Sequence, residues 1–225
     1  LVHVSALGAD ANSESDYAQS KAEGESRVRA AFPGAAILRP SVVFGPEDDF
    51  FNRFAALARF SPVLPVIGAP TFPSFRRAEG ALPFTLDFFG AGGPKLQPVF
   101  VGDVADAVMA CLKRPDAEGR TFELAGPRAY SFKEIMTLTL KAAGRRRLLV
   151  PLPFWLAELE AMVLQWLPKP LLTPDQVRML MTDNVASGTL PGLAALGIAP
   201  TPAEAVVPGY LARFRPPTRP ASMAI

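Results

Sequence analysis

Tyr17 and Lys21 stand four residues apart in the run Tyr17-Ala18-Gln19-Ser20-Lys21, a spacing that puts both side chains on one face of a helix. A phenol and an ammonium placed in this way can act as a proton-transfer pair. A tyrosine hydroxyl ionises near ~10 when unperturbed, and a lysine beside it favours the phenolate, bringing it closer to working pH. The same spacing fits an ordinary exposed helix face, so the surrounding elements decide between the two readings.

Upstream, Leu1-Val2-His3-Val4-Ser5-Ala6-Leu7-Gly8-Ala9 alternates apolar residues and ends in small ones, which predicts a strand opening into a loop with Ser5 at its C-terminal end. Downstream, Ala35 to Pro46 is a second apolar strand that leaves the sheet at Pro40, because proline cannot donate to a central ladder. The stretch between, from about Asp16 to Phe32, is predicted helical. Strand, helix and strand in this order make a βαβ unit, whose sites lie beyond the carboxyl ends of the parallel strands. Ser5, Tyr17 and the residues after Arg39 can then converge.

These segments, taken in order, resemble the short-chain dehydrogenase/reductase superfamily in its extended and atypical branches: a Ser, a Tyr-x-x-x-Lys and Leu38-Arg39-Pro40-Ser41-Val42-Val43-Phe44-Gly45-Pro46. Further matches are Gln97-Pro98-Val99-Phe100-Val101-Gly102-Asp103 and Thr121-Phe122-Glu123-Leu124-Ala125-Gly126-Pro127. The resemblance implies that Tyr17 is the general acid/base, that Lys21 lowers its pKa and holds the nicotinamide ribose, and that Ser5 polarises the substrate oxygen, with Ser13 and Ser15 as nearby alternatives. It also places the backbone of Pro40, Ser41, Val42 and Val43 against the nicotinamide of NADP or NAD.

A glycine-rich loop that cradles the pyrophosphate at a helix N-terminus normally opens such a fold. No such loop follows a strand here. Gly8, Gly24 and Gly34 are isolated, and Gly90-Ala91-Gly92-Gly93 sits in a Pro- and Gly-rich stretch and reads as a turn or linker. The expectation is a C-terminal part of a doubly wound parallel-sheet, Rossmann-like α/β domain over 1–130, followed by a smaller, mostly helical substrate or partner region over 131–225. The 225 residues alone would then hold NAD(P) weakly or not at all, the missing half supplying the cradle.

The composition narrows the alternatives. The chain is 49% apolar with a formal net charge of +2, and its short clusters Arg76-Arg77 and Arg145-Arg146-Arg147 lack the aromatic interleaving of a nucleic-acid surface. A single cysteine, Cys111, excludes an intramolecular disulfide and reads as a buried helix residue. A single histidine, His3, leaves little scope for a metal centre or a His-based triad.

Phe50, Phe51, Phe54, Leu57 and Ala58 recur with helical period between Asp48 and Phe60. The stretch 61–97, rich in Pro, Gly and Phe, is long for a connection without regular structure and reads as an insertion, either a lid or a surface loop anchored by aromatics. Asp103 reads as the acidic cap of a helix reaching Lys113. Ser131-Phe132-Lys133-Glu134 reads as a capping box for a helix ending at Gly144, and Arg147 to Pro151 as a short strand. The run from Leu152 to Leu167 is too short and too charged to span a bilayer. It reads as a helix buried against the core or a partner, with Glu158, Glu160 and Gln165 as its polar edge. Thr173-Pro174-Asp175-Gln176 starts another helix with Pro at its first position.

The tail, together with His3-Val4-Ser5, Ala31-Phe32-Pro33-Gly34 and Asp48-Asp49-Phe50-Phe51-Asn52, resembles one atypical branch of the superfamily, the nucleotide-binding accessory subunits of respiratory complex I and their bacterial relatives. That resemblance implies a structurally held NADPH, complex I subunits as partners, and peripheral membrane association through the complex. The site would be the cytoplasmic face of a bacterial inner membrane or the mitochondrial matrix side. A free-standing NAD(P)-dependent oxidoreductase, or a sugar-nucleotide epimerase or dehydratase using Ser, Tyr and Lys, is the alternative. A soluble interaction domain that keeps the fold without a cofactor is the plainest reading.

Overall fold

A computed structural model describes residues 1–77, 84–166, 168, 170 and 172–217. The chain opens with β1 (Val2–Val4), α1 (Asp16–Ala31) and β2 (Ala36–Pro40), the βαβ unit that the alternating runs predicted. β1 and β2 run parallel with Val2 opposite Ala36 and Val4 opposite Leu38. Continuing along the chain are β3 (Val43–Phe44), α2 (Phe50–Phe60), β4 (Val63–Ile67), β5 (Ser74–Arg77), β6 (Phe84–Asp87), β7 (Lys95–Leu96) and β8 (Val99–Phe100). Then come α3 (Val101–Lys113), β9 (Thr121–Leu124), β10 (Tyr130–Ser131), α4 (Phe132–Ala142), β11 (Leu148–Leu152), α5 (Phe154–Leu164), α6 (Pro174–Leu180) and α7 (Ala203–Leu211). The parallel sheet has the order β1-β2-β9, so β2 is its central strand.

Two apolar cores divide the chain. One lies between the parallel sheet and α3, with Leu38, Val99, Ala107, Phe122, Leu124 and Leu193. The larger one joins Phe44, Phe51, Leu64 and Val66 to Phe132, Ile135, Met136, Val177, Val207 and Leu211. Residues 44–67 thus pack with the C-terminal helices rather than under the parallel sheet.

The stretch 61–97 departs from the expected irregular connection. It contains β4, which pairs in parallel with β11, and the antiparallel hairpin β5–β6; residues 78–83 lie outside the described residues. β11 (Leu148–Leu152) matches the short strand expected over Arg147 to Pro151, whereas Pro62 and Pro65 mask β4 in the sequence, although a two-stranded ladder leaves outer rows where a missing N–H costs nothing. Gly90 and Gly92 take positive φ in the predicted turn, as does Gly93, where a Cβ would lie 2.3 Å from the Ile67 carbonyl oxygen.

Other boundaries shift by small amounts for identifiable reasons. α3 begins at Val101, so Asp103 lies within its first turn instead of capping it. There, buried, it accepts hydrogen bonds from the Thr201 amide and hydroxyl at 2.7 and 2.8 Å. The Ser131–Glu134 capping box forms as expected, and Gly144 ends α4 with positive φ.

α5 turns the opposite way from the sequence reading. Its small residues Ala157 and Ala161 face inward, while Trp155, Leu159, Met162 and Val163 are exposed, and Trp166 just beyond it is 85% exposed. The helix is apolar on nearly every side, so its sequence carries no directional signal, and close packing selects the alanines. Among the described residues no helix is long and apolar enough to cross a membrane.

Candidate functional site

α1, which carries Tyr17 and Lys21, has almost no apolar face: only Ala18 and Glu25 are buried. Polar attachments hold it instead. At its start Ser15 accepts from the Ala18 amide at 3.3 Å, while Asp175 of α6 accepts from the amides of Asp16 at 2.9 Å and Tyr17 at 3.3 Å. Midway, Arg39 of β2 donates two hydrogen bonds, of 2.8 and 2.7 Å, to the Glu25 carboxylate. Near its end Arg29 donates to the Thr121 hydroxyl at 2.5 Å. Burial alone would push Glu25 up, but the hydrogen bonds and charge of Arg39, helped by Ser5, hold its carboxyl below the usual range.

Tyr17 is 41% exposed and borders a cleft of about 390 Å³. One wall comes from the β1–α1 loop and the start of α1, including Leu7, Gly8, Ser13 and Ala18. The other comes from α6 and the residues after it, including Arg178, Met179, Met181 and Asn184. The Lys21 ammonium lies 5.4 Å from the centroid of the Tyr17 ring, a cation–π arrangement. Instead of the expected lowering, desolvation raises the phenol pKa. Among the described residues neither the Tyr17 hydroxyl nor the Lys21 ammonium makes a hydrogen bond or ion pair, so both are available to a ligand.

Ser5 sits apart from this cleft. It is 3% exposed, its amide donates to the Leu38 carbonyl at 2.7 Å, and its hydroxyl lies toward Glu25 in a geometry short of a hydrogen bond, leaving Oγ buried without a partner. Ser13 and Ser15 line the cleft. Ser15 is spent as the helix cap, whereas the Ser13 oxygen accepts from the Ser15 amide at 3.2 Å and keeps its own hydrogen to donate. Strand alternation explains the difference: His3 and Ser5 share a face turned to α1, His3 against Gly24 and Ser5 toward Glu25.

Pro40, Ser41, Val42 and Val43 cross the carboxyl edge of the sheet. The Ser41 amide donates to the Leu124 carbonyl and the Val42 carbonyl accepts from the Val99 amide, at 2.9 and 3.0 Å. The Ser41 hydroxyl donates to Asn184 Oδ1 at 2.5 Å, and Asn184 Nδ2 reaches the Leu7 carbonyl at 3.4 Å. Asn184 therefore ties together the ends of both strands. Neither its role nor that of Asp175 was visible in the sequence, where Asp175 reads only as part of a local cap.

For a nicotinamide dinucleotide these residues fit one end. The unengaged Tyr17 hydroxyl and Lys21 ammonium suit a ribose, whereas among the described residues no glycine loop joins a strand to a helix as a pyrophosphate cradle. Gly8 has φ +81° with open space around it, but it is a lone glycine. Among the described residues no group of His, Cys, Asp and Glu could hold a metal ion.

No family model matches the chain. It is 34% identical over 212 residues to the mitochondrial NADH dehydrogenase (ubiquinone) 1 alpha subcomplex subunit 9 of Mus musculus, covering 91% of this chain and 48% of that protein. Its fold matches the crystal structure of the Thermus thermophilus UDP-glucose 4-epimerase complex with NAD, with TM-score 0.58 and 18% identity over 95% of this chain and 63% of that one. At that identity the likeness is one of fold, a Rossmann-like α/β domain. The chain is also 50% identical over 81 residues to the ceramide reductase of Caulobacter vibrioides, covering 36% of this chain and 26% of that protein. The chain spans about half the length of the complex I subunits it matches. Within this fold, the cleft beside Tyr17 lies where parallel α/β sheets place ligands, beyond the strands' carboxyl ends.

Proposed function

We propose that the full-length protein is a nicotinamide-dinucleotide-binding accessory or assembly component of the respiratory NADH:quinone oxidoreductase. In this role Tyr17 and Lys21 hold the nicotinamide ribose, and the backbone from Pro40 to Val43 lies against the nicotinamide. The observation that carries this reading is the similarity to the mouse subunit along 91% of the chain. The structure adds two supports. The Tyr17 hydroxyl and Lys21 ammonium are uncommitted at the rim of the cleft, and the outward stripe of Trp155, Leu159, Met162 and Val163 gives an assembled protein an apolar surface to bury. The protein would then sit at the membrane face of the complex through its partner subunits, in the cytoplasm of a bacterium or the matrix of a mitochondrion. Tagged full-length protein should co-migrate with the oxidoreductase on native gels, and its deletion should impair assembly. Failure of both sinks the reading.

A second reading, a free-standing NAD(P)-dependent reductase, is favoured by the 50% identity to the Caulobacter ceramide reductase. A bound reduced nicotinamide would supply hydride. Tyr17 would hand its phenolic proton to a carbonyl oxygen in the cleft. The Ser13 hydroxyl, directed at the same cleft, would steady that oxygen, and Leu7, Met179 and Met181 would pack an apolar substrate body. Full-length Tyr17→Phe should abolish NADPH-dependent reduction of a ceramide-class carbonyl substrate. If neither the wild type nor the variant reduces it, the reductase reading fails while the accessory role stands.

A further inference from the structure

The first amides of a helix have no partner within it and must find one elsewhere. In α1 this is divided between near and distant residues. The Ser15 amide donates to the Ser13 hydroxyl and the Ala18 amide to the Ser15 hydroxyl, at 3.2 and 3.3 Å. The amides of Asp16 and Tyr17 instead reach the two carboxylate oxygens of Asp175, at 2.9 and 3.3 Å, from 159 and 158 positions away in sequence. Asp175 is not needed to close its own helix, since α6 has a complete capping box between Thr173 and Gln176. The wall that runs from Asp175 past Arg178 and Met179 is pinned at its far end by Asn184, on the Leu7 carbonyl and the Ser41 hydroxyl.

We propose that Asp175 is a positioning residue for Tyr17, the link through which the C-terminal region sets the placement of the tyrosine at the cleft. One bond is made to the backbone amide of Tyr17 itself, so the carboxylate fixes the Cα from which the phenol projects. Its charge also meets the positive end of the helix. In this turn of α1 Ala18 is the one buried apolar side chain, so polar contacts carry much of its placement. Displacement of α6, by whatever fills the cleft or packs on its outer side, is therefore transmitted to Tyr17. The inference rests on Tyr17 contacting the nicotinamide ribose, as proposed above.

A double-mutant cycle in the full-length protein, read as NADPH affinity by calorimetry, tests it. Asp175→Ala should weaken NADPH about fivefold, the factor that one helix cap represents, and should add nothing in a Tyr17→Phe background. Asp175→Asn, which keeps one acceptor oxygen, should weaken it about twofold and covers the case in which the alanine variant does not fold. Equal weakening in both backgrounds would show that Asp175 acts through general stability, and no weakening in either would show that α6 does not position Tyr17; both outcomes overturn the inference. If Tyr17→Phe alone leaves NADPH affinity intact, the ribose role of Tyr17 falls and the inference with it, which separates that failure from the others.

Discussion

Replacing Glu25 with Gln should loosen the helix that carries Tyr17 and Lys21 more than any apolar change on that helix. The Glu25 side chain is 6% exposed and that of Arg39 25%, and two hydrogen bonds of 2.8 and 2.7 Å join them. Breaking a buried pair by removing one partner costs about 3–5 kcal/mol, because the other charge stays buried and uncompensated. Arg39 keeps some solvent and the attraction of Glu123, so the lower end, about 3 kcal/mol, is expected. For a chain of this size that lowers the melting temperature by about 6–12 °C. The effect must also depend on pH. The Glu25 pKa is depressed in the folded state, so its contribution is complete above the unfolded value near ~4.3 and is lost as pH falls through the lower folded value. Melts of the full-length protein followed by circular dichroism should show a wide gap between wild type and variant at neutral pH that closes in acid. A gap of under about 2 °C at neutral pH, or one of the same size in acid, would refute the idea that this pair anchors α1.

Three further outcomes follow from the same geometry. Asp103→Ala, which strands the Thr201 amide and hydroxyl, should cost about 2 kcal/mol, seen as a lower urea midpoint with an unchanged slope. Gly8→Ala and Gly93→Ala share nearly the same φ, +81° and +82°, but only at Gly93 would a Cβ meet backbone, 2.3 Å from the Ile67 oxygen. Gly8→Ala should cost about 1 kcal/mol and Gly93→Ala clearly more, and equal melting temperatures would contradict this. Cys111 is buried and its thiol is pushed up by desolvation, so it should resist a thiol reagent at neutral pH until the protein is unfolded.

The parts of this protein that were legible in its sequence are those where a local pattern has one structural solution. Alternating apolar runs on either side of a polar helix gave β1, α1 and β2 in parallel, and Ser131 with Glu134 gave a capping box. The pattern failed where several structures share one composition. Prolines hid β4, whose partner β11 is far away in sequence. Asp103 carried the composition of a cap, but its lasting partner is Thr201. α5 is apolar on nearly every side, and only packing showed that Ala157 faces in while Trp155 faces out.

At the site, residue spacing and strand order were enough to put Tyr17 and Lys21 on one helix face at the carboxyl edge of a parallel sheet, because both are local properties. The remaining features came from the packing of distant segments. Packing turned Ser5 toward Glu25 and left Ser13 in the cleft, closed that cleft with the residues from Arg178 to Asn184, and brought Asp175 to the Tyr17 amide. Each of these depends on where a distant segment settles and on which charge is left without water, quantities that exist only once the chain has folded.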